Sequence, residues 1–580
     1  MATLASTAGA RLAAATLVAV LPLCAAHAQS LAPTRDELTR TSPAPERQPS
    51  RLSVRGGLER APCALSDPQF ADIRVTISEV RFNNLKGATP AEMRSSWAEL
   101  VGQSRPVNVI CDVRDRAATL LRRKGYLAAV QVPVQRIENG VVVLEVLYGR
   151  VTAVRARGET EGAEAKLTQY LQKLTEDDIF DRHRAERYLL LARDLPGYNV
   201  QLTLRPAGTA PGDLIGEVVV IRRPYSVDAT VQNLAARETG RWGGQVRAQA
   251  YGLTGMGDVT TLSYYNVLGG WREQRIVQAG HQFRPGSEGL VVDGQFTYAW
   301  SRPDIGAAAG DPALQARTLF STLSLTYPLI RRQSHSVYLS GGFDLLNQEV
   351  ELIAPLTRDR LRIGWLRAGI DGVDTRNAAP RWRASGSIEV RKGLGLFGAS
   401  KGCAPGDCFF VAGVPLSRAD ADPQATLVRA GAAAELAIGR SLALFVSPRA
   451  QWSSAPLATF EEFTGGNYTI GRGYEPGTIS GDHGLGATTE IRGPRLRLGR
   501  LGGRVQPFLF GDAAWTWNRN DDGAGSDRLL SVGGGVRGEL ADRVRLDVTL
   551  ARPLRRAGLL ERQPGWRALF TLTTRFLPWR

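Results

Sequence analysis

Hydrophobic and polar positions follow different rhythms in different parts of this chain. From about residue 225 onward the rhythm has a period of two. Val544, Leu546, Val548 and Leu550 share one parity, and Arg545, Asp547 and Thr549 the other. Near the end, Ala568, Phe570, Leu572, Thr574 and Phe576 oppose Arg567, Thr571, Thr573 and Arg575 in the same way. Successive side chains of a strand point to opposite faces, so these segments are strands with one apolar and one polar side. Gly, Asp and Pro turns separate them, and no helical period survives. A soluble sandwich would alternate too, but charge recurs on the inner face of strand after strand. An apolar band outside and a polar lumen inside describe a transmembrane barrel, and at about 22 residues per strand and connection residues 224–580 supply about 16 antiparallel strands.

Between about residues 70 and 222 the periods mix. Ile73, Val75 and Ile77 alternate as one face of a strand, while Val113, Ala117, Leu120 and Leu121 keep helical spacing up to Gly125. Residues 126–137 and 141–147 flank Asn139-Gly140, which predicts a two-residue hairpin. The order then repeats. A strand is expected over 151–156 and a helix over 163–174. A second helix has Ala185, Tyr188, Leu189 and Ala192 on one face, ends at Pro196-Gly197, and precedes strands over 200–205 and 216–222. The fold class is therefore mixed, with two α+β modules, 68–149 and 150–223, ahead of the barrel.

Residues 29–67 carry no apolar period and are rich in Pro, Ser, Thr and Arg, which reads as a linker or plug segment, a solvated tether first of all, with a short helix near Arg35. Residues 1–28 have the form of a secretory signal peptide, with Arg11, an apolar core and an Ala26-His27-Ala28 cleavage site. Cleavage removes Cys24. Export then favours disulfides among Cys63, Cys111, Cys403 and Cys408. The last two bracket a turn-forming Ala-Pro-Gly-Asp, and Cys63 with Cys111 would tie the segment before the first strand to a later helix.

Composition narrows the function. Seventy-two Lys and Arg against 56 Asp and Glu give the 580 residues a net charge of +16. A basic, water-filled lumen accounts for this better than nucleic acid, because no basic block with interleaved aromatics occurs. His183, His281, His335 and His483 are scattered, so no metal site is expected. Gly393-Leu394-Gly395-Leu396-Phe397-Gly398 matches a dinucleotide fingerprint, but no helix follows, so no cofactor is expected. No G-x-S-x-G is present, and nothing points to an enzyme.

Four motifs carry a family resemblance. The second module holds Glu186-Arg187-Tyr188-Leu189-Leu190-Leu191-Ala192-Arg193-Asp194-Leu195-Pro196-Gly197, and the early barrel holds Gly252-Leu253-Thr254-Gly255-Met256-Gly257-Asp258. Later come Gly471-Arg472-Gly473-Tyr474 with Gly481-Asp482-His483-Gly484 and Glu490, and then Phe510-Gly511-Asp512-Ala513-Ala514. Across nearly all of the chain after residue 28, the sequence resembles the outer-membrane transporters of two-partner secretion (TpsB type), the haemolysin secretion/activation proteins akin to the filamentous-haemagglutinin transporter. The resemblance implies that the modules are periplasmic POTRA domains which bind an unfolded client. It also implies that a signature loop near 465–484 folds back into the lumen, where Arg472 pairs with Asp512 of the inner-wall motif. Gly471 stands where the family usually has Val, and Ala514 where it has Gly.

The residues support the pairing independently. Asp512 shares parity with Phe508 and Phe510, opposite the lipid-facing set Val505, Leu509, Ala513 and Trp515, and an Arg fork satisfies both oxygens of a lumenal carboxylate. Gly473 is expected to give the tip a positive φ, and Tyr474 to pack on the wall. The implied partners are a secreted exoprotein (haemolysin, adhesin or contact-dependent toxin), outer-membrane lipid and lipopolysaccharide, and the barrel assembly machinery. The implied place is the outer membrane of a Gram-negative bacterium. Two rival readings are an assembly factor of the same superfamily, which carries more POTRA units, and a passive porin, in which such modules have no role.

Overall fold

The change of period near residue 224 separates two kinds of structure. The computed structural model describes residues 32–39, 53–54 and 62–577, except 211, 271–272, 305–311, 378, 403–412, 500–501, 520–525, 542 and 559–561. The signal segment 1–28 and the Cys403–Cys408 pair fall outside these residues.

Sixteen antiparallel strands close into a barrel among the described residues. The first, Tyr225–Gln232, pairs with the last, Arg567–Leu577, through contacts such as Ala229 with Thr574 and Gln232 with Thr571. One wall strand runs in two pieces, His483–Arg492 and Leu496–Leu498, both paired with Gly503–Trp517. The two-residue period sorts the faces as expected. Leu366, Leu509 and Leu550 stand exposed on the outer surface, while Phe508, Phe510 and Asp512 are buried inside. Strands Gln315–Arg331, His335–Glu351 and Pro355–Val373 exceed the ~10 residues a crossing needs, so this wall rises beyond the apolar band.

Two α+β modules of POTRA type precede the barrel. In the first, the central strand Val141–Tyr148 lies parallel to Glu79–Asn83 and antiparallel to Ala128–Gln131. Helix Val109–Arg123 covers this sheet by placing Val113, Ala117 and Leu121 against Val142, Leu144 and Val146, all fully buried. A disulfide joins Cys63 to Cys111 in the first turn of that helix. The two-residue hairpin is not formed. The ladder ends at Gln131 opposite Glu145, Pro133 has no N–H to offer, and the Gln135 side chain instead bonds the N–H and C=O of Val143. Asn139 and Gly140 do turn the chain, both with positive φ, but at the foot of a longer loop.

In the second module, strand Asp213–Arg222 lies between Arg150–Gly158 and Tyr198–Pro206, packed on helices Glu164–Gln172 and Arg182–Arg193. The two residues Ser53–Val54 extend this sheet, parallel to Tyr198–Pro206, with Ser53 beside Thr203. The helix motif faces the barrel. Asp194 forks onto Arg331 at 2.7 and 2.8 Å, and Glu186 accepts from the Gln333 N–H. Arg187 donates to the carbonyls of Pro328 and Glu288, and Arg284 of the barrel donates to the carbonyls of Gly257 and Asp194. The Gly252–Asp258 turn is held from within. Asp258, fully buried, accepts from the Leu253 N–H and from the N–H and hydroxyl of Thr254.

Candidate functional site

The long connection between strands Leu442–Ser453 and His483–Arg492 does not project outward. It folds into the lumen as a small hairpin, Phe463–Gly465 against Ile479–Gly481. Its apolar residues Phe463, Ile470, Tyr474 and Ile479 pack on Ala514, Leu529 and Ala557. That burial orients the polar tip.

At the tip, Arg472 meets Asp512 three times. The backbone N–H and Nε donate to Oδ2 at 2.9 and 3.1 Å, and Nη2 donates to Oδ1 at 2.9 Å. Its remaining Nη1 donates to Glu490 Oε1 at 2.7 Å, and the guanidinium lies 3.6 Å over the Phe510 ring. Glu490, quoted in the motif only as a marker, is the second partner. It also accepts both Nη atoms of Arg537 at 2.8 Å and Nε of Arg492 at 2.9 Å. Arg537 continues the chain to Asp547. Such charge-assisted, bidentate contacts are the strong class of hydrogen bond, and stacking on Phe510 and Phe508 shields them. Room for those rings comes from Gly533 and Gly535, where a Cβ would meet Phe510 or Phe508 at 2.7 Å. The Gly533-Gly534-Gly535 run was the available sequence signal for this wall.

The departures from the family pattern have physical reasons. Gly471 has φ +119°, and a Cβ there would lie 2.7 Å from Leu529, so this chain's geometry excludes Val. The positive φ therefore belongs to Gly471 and not to Gly473, which was expected to supply it. Gly473 is needed because a Cβ would lie 2.9 Å from the Pro553 nitrogen. The methyl of Ala514 is accommodated because its cross-strand neighbour is Gly486. Tyr474 is buried, its hydroxyl between the carbonyls of Leu530 and Arg555 at 3.0 and 2.7 Å. Gly481 lies against Thr516 and Trp517, and Asp482 accepts from Arg418, the Leu457 N–H and the Arg519 N–H at the loop's base.

A second piece of chain occupies the lumen. Residues 32–39 were expected to read first as a solvated tether, yet they form a capped turn, Arg35–Leu38, inside the barrel. Leu38 is buried beside Tyr265, Ile276 and Phe460. Arg35 donates to Glu461 at 3.0 Å and to Asp344 at 3.1 Å, and Asp36 accepts from Arg449 and Thr464. Arg391, with no exposed surface, binds the same Asp344 and Glu461 together with Glu389. Around the turn these buried arginines are matched by carboxylates. A cavity of about 250 Å³ remains between Glu37, Arg472, Arg537 and the wall around Gln245 and Thr571.

Comparisons with known proteins agree with this architecture. A family model for the haemolysin secretion/activation protein ShlB/FhaC/HecB matches residues 218–538. The heme/hemopexin transporter protein HuxB of Haemophilus influenzae (strain 86-028NP) is 21% identical over 321 residues, 54% of this chain and 55% of that protein. The chain thus spans about half the length of the curated relatives it matches. The structure of CdiB from Escherichia coli is similar with a TM-score of 0.74 at 18% identity, covering 90% of this chain and 94% of that one. CdiB from Acinetobacter baumannii gives 0.65 at 17% identity, covering 96% and 99%. At these identities the structures speak for the fold, and the family model speaks for descent: the chain belongs to the haemolysin secretion/activation family of ShlB, FhaC and HecB.

Proposed function

We propose that this chain is the outer-membrane pore of a two-partner secretion system, with its POTRA modules in the periplasm and one exoprotein as its client. The observation that carries the reading is a barrel lumen filled by two pieces of chain held through ion pairs, the Arg472 loop and the Arg35 turn. Small apolar clusters seat both pieces and ion pairs fix them, and such contacts can be exchanged for client contacts without unfolding the wall. The client is captured unfolded by strand addition to a POTRA sheet edge. Edge Tyr198–Pro206 already holds Ser53–Val54, which leaves Arg150–Gly158 at the other edge of that sheet and Glu79–Asn83 and Ala128–Gln131 at the edges of the first module's sheet. Folding of the client outside prevents back-sliding and drives export. Insertion by the barrel assembly machinery and contact with outer-membrane lipid belong to the same reading.

The test compares a strain lacking this chain with its parent by mass spectrometry of culture supernatant and outer membrane. Loss of one large exoprotein with the membrane proteome intact is the expected result. Loss of several barrels from the membrane would overturn the reading in favour of an assembly factor.

A further inference from the structure

The Gly393–Gly398 run, which is not a nucleotide loop, sits where strand Trp382–Gly393 leaves the barrel wall. Phe397 has φ +46°, a left-handed conformation unfavourable for any residue with a Cβ, and its side chain is 77% exposed. It stands edge-on to Phe343 at 6.1 Å, on the outer face of the wall. Leu396 beside it is exposed as well. Strain that holds an aromatic ring outward needs a reason.

Cations surround it on the same face. Arg358, Arg360 and Arg362 share the parity of the exposed Leu366 and Ile370 further down their strand. Lys392 shares the parity of Val390, Ile388 and Trp382 on the neighbouring strand, which pairs Lys392 with Gly364. Arg358 is matched by Glu349. Arg362 is buried with neutral acceptors alone, namely the carbonyls of Phe397, Leu346 and Leu361 and the Asn347 amide oxygen. The Arg360 side chain is exposed, and Lys392 reaches the Gln424 carbonyl, not a carboxylate. The cluster is therefore positive among the described residues.

Depth fits a membrane boundary. Trp382, exposed at the POTRA end of the same face, is ten residues from Lys392. A rise of about 3.3 Å per residue at a tilt near 40° places them about 25 Å apart along the barrel axis, the height of the apolar band. Trp382 thus marks one interface, and Lys392, Phe397 and Arg360 the other. Gly364 and Arg360 are four residues apart, so the two cations are separated by about 13 Å along the wall.

We propose that this patch is a binding site for a phosphate-bearing lipid of the outer leaflet. Phe397 and Leu396 enter the acyl boundary, and Lys392 and Arg360 receive the headgroup phosphates. The assignment of this rim to the outer leaflet rests on the proposed periplasmic placement of the POTRA modules; the binding chemistry does not.

The test uses the purified full chain in detergent and native mass spectrometry with bisphosphorylated lipid A, its dephosphorylated form, and inorganic phosphate as competitor. The bisphosphorylated lipid should be retained at one per barrel. Arg360→Ala and Lys392→Ala should each lower occupancy about fivefold, and the pair about thirtyfold. Phe397→Gly should also lower it while the heat-modifiable barrel band persists, which separates lost binding from lost folding. Equal retention of the dephosphorylated lipid, or unchanged retention in the double variant, would overturn the proposal. Displacement by millimolar inorganic phosphate would overturn it too, in favour of a soluble-anion site. Secretion does not enter this readout, so a failure of the proposed function leaves the result standing.

Discussion

At the scale of single residues, the lumenal loop depends on one carboxylate that has no access to water. Asp512 is fully buried, and apart from Arg472 it meets the Ser531 hydroxyl at 3.4 Å. Arg472→Ala would leave that charge nearly alone, and removing one partner of a buried pair costs about 3–5 kcal/mol. The loop, not the wall, should yield: the barrel stays heat-modifiable, the loop becomes accessible to cysteine labelling, and secretion falls. Unchanged secretion with a released loop would show that the contact has no part in export. Gly471→Val makes a separate test, because it restores the usual family residue in a backbone that rejects it. A positive φ costs about 1–3 kcal/mol for a residue with a Cβ, and overpacking on Leu529 adds a similar amount. Leu529→Ala should relieve the steric part of the loss in thermal stability and leave the backbone part.

At the scale of elements, polar contacts join the second module to the barrel. The helix Arg182–Arg193 docks its module through Asp194, Glu186 and Arg187, so Asp194→Ala should free the POTRA module without unfolding it. Faster proteolysis between module and barrel, with the Cys63–Cys111 disulfide intact, would register this. The adjoining Gly252–Asp258 turn adds a pH dependence. Burial opposes the charge of Asp258, but the hydrogen bonds from Thr254 and Leu253 outweigh it and hold the carboxyl below the usual range. A depressed folded pKa contributes stability above the unfolded value of about 3.9, and that contribution is lost as pH falls through the lower folded value. Protection of the 252–258 amides, taken relative to their intrinsic exchange rate at each pH, should therefore fall on acidification below the usual carboxylate range, and Asp258→Asn should flatten the profile. Strand parity made Phe508, Phe510 and Asp512 legible as a lumenal row, because a period of two is a local signal. The hairpin at Asn139-Gly140 misled because Pro133 and the Gln135 side chain end the ladder early. The Arg35 turn left no trace in periodicity, since its contacts lie hundreds of residues away. Glu490 was in view, but nothing in sequence says which of several arginines a buried glutamate will serve.

For the whole molecule, the balance of lumenal charge bears on how firmly the two inserted pieces of chain are held. Around the Arg35 turn, Asp344, Glu389 and Glu461 face Arg35, Arg391 and Arg429. Withdrawing the turn takes Arg35 from Asp344 and Glu461 and leaves those two carboxylates to Arg391 and Arg429 alone, so the turn is held by what its departure would expose. Arg391 keeps its own bonds to all three carboxylates, and Arg35 is itself partly exposed, so Arg35→Ala should cost less than a fully buried break, about 2 kcal/mol. That corresponds to roughly a thirtyfold rise in the population with the turn released. Planar-bilayer recordings of the purified chain should show a matching increase in open events. Deletion of residues 32–39 should raise the resting conductance, with the Arg472 loop as the remaining obstruction. Combining that deletion with Arg472→Ala should raise conductance further, because the two pieces are tied to different parts of the wall, Asp344 and Arg449 for one and Asp512 and Glu490 for the other. Equal conductance in the deletion and the combined variant would mean that the loop leaves with the turn, and that Glu461, which belongs to the loop and binds Arg35, transmits the release.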